Sequence, residues 1–432
     1  MRKRIRSVGR WTWIGGLVVS LVVAGCASPG SDAITVRVDY SHDEFNTQFI
    51  QFFPDEIQVH PGDTVRFVQD WTGEAHTVTF GTAVTEALEI TRPLIEQYGD
   101  LPEDQVPPEA MEQYLEAECT LPVLFSECEG APPGESGDAG EGETAGQGEA
   151  AGTESEQGFP PINQSIAQPC VIEEGEIPTD GAPCPNQELG TFDGTEAFYN
   201  SGFIGFETDR ENVFTLQVAD SIVPGAYPWF CAVHGSFQSG VMEVVPADQP
   251  IASPSEVNQE TREELNEVVE PFRQVFAQAQ GGEIVMGGEA FSGNFSGLVD
   301  EEVQGLLNEF VPETITTEAG EPVTWLMFGP HSISFDVPEY FPIYDVQEDG
   351  TITANDEILL PAGGAPEIEE PEDPTEPLVI DGGSWDGSGF WSSGVLFSDS
   401  YVQYTLRFST PGTYRYACLI HPPMVGTVEV SG

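Results

Sequence analysis

Positive charge is scarce in this sequence. Its 432 residues include 73 Asp and Glu but only 13 Lys and Arg, which gives a formal net charge of −60. Because recognition of nucleic-acid phosphates depends on cationic patches, this composition argues against nucleic-acid binding. It favours basic protein partners, or a high-salt habitat in which repulsion between acidic groups is screened. Composition alone does not separate these two explanations.

Long hydrophobic runs are also rare, and the clearest one lies near the N-terminus. The stretch "MRKRIRSVGRWTWIGGLVVSLVVAGC" joins five basic residues to an apolar run from Trp13 to Ala24 and ends at Cys26. This layout predicts an export signal peptide over 1–25, because the run is short for a membrane span. "VVAGC" resembles a prokaryotic lipobox, which implies lipidation of Cys26 and an extracytoplasmic protein anchored to the cell membrane. Secretion without a lipid anchor is the alternative.

Cysteine is sparse, and the Cys-x2-Cys spacing of a zinc site does not occur among the seven cysteines. Outside the cytoplasm the compartment is oxidising and permits disulfides. Four cysteines lie in or beside one long stretch, and we predict two disulfides among them, with three pairings open. These four are Cys119, Cys128, Cys170 and Cys184.

An internal repeat organises the rest of the chain. The first copy contains "FFPDEIQVHPGDTVRFVQDWTGEAHTVTF" from Phe52 and "PGAYPWFCAVHGSFQSGVMEVV" from Pro224. The second contains "FVPETITTEAGEPVTWLMFGPHSISF" from Phe310 and "PGTYRYACLIHPPMVGTVEV" from Pro411. The matching order of these segments indicates a tandem duplication. Apolar and polar residues alternate between Gly- and Pro-containing turns, which predicts several short strands per copy and hence a Greek-key β-sandwich or barrel.

The predicted fold class is therefore all-β, with two such sandwiches joined by an α-helical linker. The expected segments are a first domain at 33–247, a helical linker at 251–281, a second domain at 282–432, and long acidic insertions at about 81–190 and about 340–385. For the linker, Ser255 is the expected N-cap and Gly281 the expected end.

The first insertion has two predicted parts. A helix is expected near Glu109–Glu118. The acidic tract at about 129–158 has almost no apolar residues, so it cannot bury enough surface to offset its ordering entropy and is expected to be disordered.

Histidines recur with cysteines in both copies. Four of the six histidines occupy corresponding places. The candidate ligands are His76, Cys231, His234 and Gln238 in the first copy, and His331, Cys418, His421 and Met424 in the second. One thiolate and two imidazoles, with a weak axial donor, form a trigonal set suited to copper that cycles between Cu(I) and Cu(II).

These residues resemble the cupredoxin family, particularly plastocyanin, pseudoazurin and amicyanin. The Cys-x2-His-x2-Met spacing of the second copy is similar to the short amicyanin loop, which implies a type-1 copper site with Met424 as the axial ligand. In the first copy Gln238 occupies the equivalent place, and an axial amide is seen in the stellacyanin-like branch. A first site without an axial ligand remains open, whereas Met242 fits the core better.

The resemblance implies an electron carrier and not an enzyme. Its two blue-copper centres would exchange single electrons with redox partners such as a cytochrome or an oxidase, docked through basic surfaces. His234 and His421 are expected on the solvent side. The alternatives are a copper storage or delivery protein, and a multicopper oxidase or copper nitrite reductase. The enzymes need additional histidines, commonly in His-x-His pairs, and the sequence has no such pair.

Overall fold

The computed structural model describes residues 33–42, 44–69, 74–99, 101, 105–124, 162–178, 182–205, 212–286, 289–300, 305–337, 343–347, 349–364, 366–369, 376–396, 398 and 400–432. All of them belong to one compact unit, 33–432. The predicted signal peptide, Cys26, Cys128 and the predicted acidic tract at about 129–158 lie outside the described residues.

Strands are the main secondary structure. The described part of the first half contains β1 Ile34–Val38, β2 Thr47–Phe49, β3 Phe52–Phe53, β4 Glu56–Val59, β5 Thr64–Gln69, β6 Thr79–Phe80, β7 Cys170–Ile172, β8 Phe198–Asn200, β9 Val213–Gln217, β10 Gly225–Cys231 and β11 Gly235–Val244. The second half contains β12 Glu283–Met286, β13 Glu289–Ser292, β14 Asn294–Asp300, β15 Gly305–Val311, β16 Thr314–Glu318, β17 Pro322–Met327, β18 Ser334–Phe335, β19 Tyr344–Val346, β20 Ile352–Ala354, β21 Glu367–Glu369, β22 Leu378–Trp385, β23 Trp391–Ser392, β24 Val402–Phe408, β25 Gly412–Ala417 and β26 Val425–Ser431.

Helices occupy the insertions and the linker. They are α1 Thr82–Tyr98, α2 Pro108–Glu118, α3 Gln164–Ala167, α4 Pro254–Gln280 and α5 Asp356–Leu359. The helix predicted near Glu109–Glu118 is present as α2, whereas α1 was not predicted. Within the part of the chain that the structure describes, none of the helices combines the length and apolar character needed to cross a membrane.

The N-cap of the linker helix α4 lies two residues earlier than predicted. Ser253, not Ser255, is the N-cap, and it forms a capping box with Glu256. The helix ends at Gly281, as the sequence predicts. Its buried residues, including Leu265, Val269 and Phe272, pack against a sheet, so the helix is a structural layer and not a free connector.

Each copy of the repeat is built from two facing sheets. In the first copy the strand orders are β3-β1-β5-β9 and β4-β11-β10-β6-β8-β7. Side chains from both sheets share one hydrophobic core, in which the rings of Phe67 and Trp229 lie 5.5 Å apart. In the second copy the orders are β2-β15-β14-β17-β24-β22-β21 and β16-β26-β25-β18-β23, with Trp325 and Tyr416 in contact at 5.5 Å.

The same strand pairings recur in the two copies. β1 runs parallel to β5 in the first copy, and β14 runs parallel to β17 in the second. In the opposite sheets, β4 is parallel to β11 and β16 is parallel to β26. β10, which ends at Cys231, and β25, which ends one residue before Cys418, each pair antiparallel with the strand that follows. Corresponding sequence segments therefore lie at corresponding places in two similar sandwiches.

One strand from the first copy forms part of a sheet in the second copy. β2 lies near the N-terminus, yet it pairs antiparallel with β15, so that Gln48 faces Leu306 across the ladder. Phe49 of β2 is fully buried against Phe53 and Phe272. A third hydrophobic core thus joins the N-terminal segment, α4 and the seven-stranded sheet.

A segment of the second copy packs in return on the first. The hairpin β19–β20 lies within the predicted second insertion, and Tyr344 contacts Phe203 with ring centroids 4.8 Å apart. The Gln164 amide pairs with both the N–H and the C=O of Ile352, each at 2.9 Å. Because each copy covers part of the other, the two sandwiches are held in a defined relation.

One of the predicted disulfides is seen directly, between Cys170 and Cys184. Cys119 is also disulfide-bonded. Among the described cysteines, Cys231 and Cys418 are the ones left as thiols, and both are buried.

Replacing Phe49 by Ala tests the shared core. Since Phe49 has no exposed surface, the substitution is expected to lower the free energy of unfolding by about 3–5 kcal/mol, the usual range for Phe→Ala in a core. Denaturant titration measures the change. Val223→Ala, at a side chain that is 69% exposed, is the control and should stay within about 0.5 kcal/mol. A similarly small effect at Phe49 would contradict the description of this core.

Candidate metal centres

The backbone brings the first candidate ligand set together from three elements. His76 precedes β6 and is held by paired backbone hydrogen bonds with Ile204. Cys231 ends β10 at an irregularity in its pairing with β11. His234 lies in the turn before β11, and Gln238 lies on β11 itself. Residues more than 150 positions apart therefore meet at one end of the sandwich.

The first set is compact and buried. The Cys231 Sγ atom lies 3.8 Å from His76 Nδ1 and 3.7 Å from His234 Nδ1. The Gln238 Oε1 atom lies 3.0 Å and 2.8 Å from the same two nitrogens. Each imidazole nitrogen thus lies close to both the cysteine sulfur and the amide oxygen.

The second set has the same arrangement. Cys418 Sγ lies 3.9 Å from His331 Nδ1 and 3.5 Å from His421 Nδ1, and the two nitrogens are 3.1 Å apart. Met424 is fully buried next to this set, and its backbone is hydrogen-bonded to those of Cys418 and His421. In each copy the cysteine sulfur and the two imidazole nitrogens all lie within 4.8 Å of one another.

In each copy one hydroxyl-bearing residue, Thr77 or Ser332, links the cysteine to the histidine segment, and we call this arrangement the hydroxyl cradle. The residue after the upstream histidine, Thr77 or Ser332, donates its backbone N–H to the cysteine sulfur at 3.3 Å in each copy. Its side-chain oxygen accepts from the backbone N–H of the residue after the cysteine, Ala232 or Leu419. The cysteine strand and the histidine strand are therefore tied together at the site itself, which fixes the position of the sulfur.

The helices of the first insertion brace the loop that carries His234 and Gln238. Glu118, at the end of α2, accepts hydrogen bonds from the backbone N–H and the hydroxyl of Ser236. Thr91 of α1 donates to the same hydroxyl at 2.9 Å. The predicted insertion thus supports the loop that carries His234 and Gln238, and its sequence did not indicate this role.

The outer nitrogen of every ligand imidazole faces an acceptor. His76 Nε2 lies 3.2 Å from the buried carboxylate of Asp39, and His234 Nε2 lies 3.1 Å from Glu74. In the second copy, His331 Nε2 lies 3.0 Å from the carbonyl oxygen of Phe328. His421 Nε2 lies 3.2 Å from the side-chain oxygen of Gln48.

These acceptors select the tautomer. A carboxylate or carbonyl oxygen can only accept, so in the neutral form of each imidazole Nε2 carries the hydrogen and Nδ1 is the nitrogen left to bind a metal. All four Nδ1 atoms point toward the cysteine sulfur of their own site. A soft sulfur with two such nitrogens suits copper, and the described residues fit that ion.

The two sites differ in charge. Burial acts to raise the pKa of Cys231, but His234 and His76 outweigh it and lower that pKa to about 5. Burial acts to lower the pKa of His76, but the Asp39 carboxylate and Cys231 raise it to about 9. In the second site burial dominates, because it raises the pKa of Cys418 and lowers that of His421 to about 4. The first site is thus ionic and the second neutral before metal binds.

The expectation that His234 and His421 face solvent is wrong, because both side chains are largely buried. His421 is 2% exposed, and the His234 side chain is 10% exposed. Their outer nitrogens are instead covered by Gln48 and Glu74 because β2 and the Glu74 segment lie over this end of the sandwiches. For His421 the sequence could not show this, since the covering strand β2 comes from the other copy.

The remaining candidates lie elsewhere. Met242 is fully buried in the core of the first sandwich, as expected. His60 contacts the backbone of Gln249, and His42 lies beside Arg273. Among the described residues, the two Cys–His groups are the clusters of three or more potential ligands whose donor atoms converge.

Sequence reasoning did not find the outer partners Asp39, Glu74 and Gln48. Glu74 lies two residues before His76, and this proximity was the one available signal. Asp39 and Gln48 lie far from the ligands in sequence, and only the pairing of β1 with β5 and of β2 with β15 brings them in.

No protein-family model and no curated protein matches the chain. Among solved structures, it is similar to the oxidized form of plastocyanin from Dryopteris crassirhizoma, with 23% identity over 32% of this chain and 100% of that one and a TM-score of 0.17. It is also similar to a mutant of amicyanin with Cu(I), with 17% identity over 28% of this chain and 73% of that one and a TM-score of 0.15. For a reduced Cu(I) form of another amicyanin mutant, the identity is 15%, the coverage 34% and 91%, and the TM-score 0.16. Since values this low establish no shared function, the proposal below rests on site geometry.

The charge difference predicts a titration in the metal-free protein. At neutral pH, Cys231 should be a thiolate because its pKa is lowered to about 5, and Cys418 should be a thiol because its pKa is raised. Ultraviolet thiolate absorbance followed against pH measures both. Cys231→Ser should remove the acidic transition, and Cys418→Ser should leave it in place. A wild-type protein without ionised thiol at neutral pH would contradict this account.

Proposed function

We propose that this chain is a cupredoxin-type electron carrier with one type-1 copper site in each of two domains. One observation carries the proposal: in both copies a cysteine sulfur and two imidazole Nδ1 atoms converge within 4.8 Å. Core packing does not explain why the same three donor atoms converge in both copies, because an apolar core forms without a thiol and two imidazoles. The thiolate stabilises Cu(I), and the imidazoles accept both oxidation states.

Rigidity of the ligands supports electron transfer. His76, Cys231, His331 and Cys418 are at most 1% exposed, and the hydroxyl cradle ties the thiol to the histidine strand in both copies. A site that changes shape little between Cu(I) and Cu(II) exchanges electrons with a small reorganisation cost. Copper storage or delivery is less well supported, because release of the ion requires accessible ligands.

An enzyme of the multicopper oxidase or nitrite reductase kind also has less support. Such an enzyme needs further copper held by additional histidines, and His42 and His60 lie apart from both clusters in the described structure. The proposal therefore gives the chain no catalytic site. Turnover of dioxygen or nitrite by the purified protein would reverse this assignment.

The proposed setting is the outer face of a prokaryotic cell membrane, with Cys26 as the lipid-bearing residue. The basis is the N-terminal sequence pattern. The proposed partners are redox proteins, such as a cytochrome or an oxidase, with basic docking surfaces. A net charge of −60 supports this choice, because opposite charge accelerates encounter.

Metal analysis of single-site variants tests the proposal. The wild-type protein is expected to bind two copper ions per chain and to show the intense visible absorption of copper–thiolate sites. Cys231→Ser and Cys418→Ser should each lose one ion and one set of bands while keeping the other. Purified protein that stays colourless and metal-free after addition of cupric salt would overturn the proposal.

The first site is expected to have the lower reduction potential. Its imidazoles donate to the carboxylates of Asp39 and Glu74, whereas those of the second donate to neutral oxygens. The negative charges favour Cu(II), and the amide oxygen of Gln238 is a harder donor than a thioether and acts in the same direction. Electrons would then pass from the first site to the second.

Asp39→Asn tests the origin of this difference. Asparagine keeps the size of the side chain and tolerates the φ of 66° at this position. The asparagine amide has a single oxygen, and the backbone N–H groups of Tyr40 and Phe49 already donate to Asp39 Oδ1, so the substitution removes both the charge and the acceptor at His76 Nε2. This loss should reduce the preference for Cu(II) by about 1 kcal/mol, or roughly 40 mV for a one-electron couple. Redox titration should show a higher potential for the first site, and an unchanged second site is the internal control. A first site at equal or higher potential in the wild-type protein would refute the assigned direction.

A further inference from the structure

The outer nitrogens of the two loop histidines, His421 and His234, are joined by a continuous hydrogen-bonded chain. His421 Nε2 donates to Gln48 Oε1 at 3.2 Å. The Gln48 amide nitrogen donates to Glu74 Oε2. Glu74 Oε1 accepts from His234 Nε2 at 3.1 Å. Two side chains therefore span the whole gap between the ligand imidazoles of the two sites.

The donors and acceptors of this chain are mutually consistent. The amide of Gln48 accepts at its oxygen and donates at its nitrogen, so it matches an imidazole N–H on one side and a carboxylate on the other. Asn308 Nδ2 also donates to Gln48 Oε1, at 3.2 Å, which fixes the orientation of the amide. If the amide were inverted, its NH2 group would face the N–H of His421 and its oxygen would face the carboxylate of Glu74.

The chain is built into the fold at the interface of the two copies. Gln48 is 3% exposed and belongs to β2, the strand that the first copy lends to the sheet of the second. Phe49, the next residue, donates its backbone N–H to Asp39, which in turn faces His76. The 39–49 segment thus contacts a ligand of each site.

We infer that Gln48 and Glu74 form an inter-site bridge that positions His421 and His234 and carries single electrons between the two sites. This inference rests on the proposed function, since it requires copper at both sites. A hydrogen-bonded path couples two ligands more strongly than a gap of the same length filled by loosely packed atoms. With this bridge, an electron accepted at one site would pass to the other site within the same molecule, whereas two independent sites would each exchange electrons only with partners.

The transfer balances without any other reactant. With copper held by the two Cys–His groups, one electron would leave Cu(I) at the first site, which would become Cu(II), and enter Cu(II) at the second site, which would become Cu(I). Neither a proton nor a heavy atom is transferred, because each Nε2 keeps its hydrogen in both states. An external one-electron reductant is needed only to load the first site.

The test uses the full-length protein with copper bound at both sites. Rapid one-electron reduction by a radiolytic or photochemical pulse is followed by re-equilibration between the two sites, read from their separate absorption bands. We expect a phase whose rate does not depend on protein concentration in the wild type. Gln48→Leu should slow this phase at least tenfold, because it removes both central hydrogen bonds.

Gln164→Leu is the matched control. Gln164 is also a buried glutamine that links the two copies, but its amide pairs with the backbone of Ile352 and contacts no ligand. Its substitution should weaken the inter-copy contact and leave the rate of the inter-site phase within twofold of wild type. A general loosening of the interface would instead slow both variants equally.

Nuclear magnetic resonance of the diamagnetic Cu(I) protein gives a readout independent of electron transfer. In the wild type the Nε2–H signals of His421 and His234 should be protected from solvent exchange. Gln48→Leu should abolish protection at His421 and preserve it at His234, which Glu74 still holds. Loss of both signals would indicate disruption of the fold and not of one bridge.

Glu74→Leu is the second variant, at a side chain that is 27% exposed and so less demanding for folding than Gln48. With rates compared at equal measured driving force, the double variant should be no slower than either single variant, because both residues lie on one path. Wild-type exchange that occurs only between molecules, or unchanged rates in folded variants with two copper ions, would overturn the bridge and leave the proposed function intact. Failure to bind copper would overturn the proposed function itself.

Discussion

The hydrogen bonds at the outer ring nitrogens are the constraint on which both sites depend. An imidazole that donates from Nε2 to a fixed oxygen has its ring plane, tautomer and free nitrogen determined together. In this protein all four ligand histidines are held in that way, by Asp39, Glu74, Phe328 and Gln48. The convergence of the inner nitrogens on a cysteine sulfur follows from these contacts as much as from the ligands themselves.

The same contacts explain why two similar sandwiches have dissimilar sites. Strand pairings and the hydroxyl cradle recur almost position for position, through Thr77 in one copy and Ser332 in the other. The partners of the outer nitrogens do not recur, because carboxylates serve the first site and neutral oxygens the second. The candidate ligands are therefore duplicated, but their electrostatic surroundings are unequal, and charge near a bound metal influences its preferred oxidation state.

Exchange of segments between the copies creates the environment between the sites. β2 completes the seven-stranded sheet of the second copy, and the β19–β20 hairpin packs on the first. Two sandwiches connected by a helix alone would leave the ligand loops facing solvent, which is what the sequence led us to expect of His234 and His421. Here β2 covers His421 and places Gln48 next to Glu74, which covers His234, so the same contacts bury both histidines and connect them.

Part of the candidate ligand set was readable from the sequence because its geometry is local: a cysteine and a histidine lie three residues apart in a turn. The upstream histidine, which is distant in sequence, was found because the whole pattern occurs twice. Strand alternation and the helix at Glu109–Glu118 were also readable, since they depend on periodicity over a few residues. The N-cap of α4 was misplaced by two residues because Ser253 and Ser255 are equivalent as caps until the Glu256 side chain is positioned. Tertiary structure alone decided which residues reach the outer nitrogens, because Asp39, Gln48 and Glu74 approach through pairings between distant strands. Contacts of that kind depend on the packing of the whole chain, and no short stretch of it encodes them.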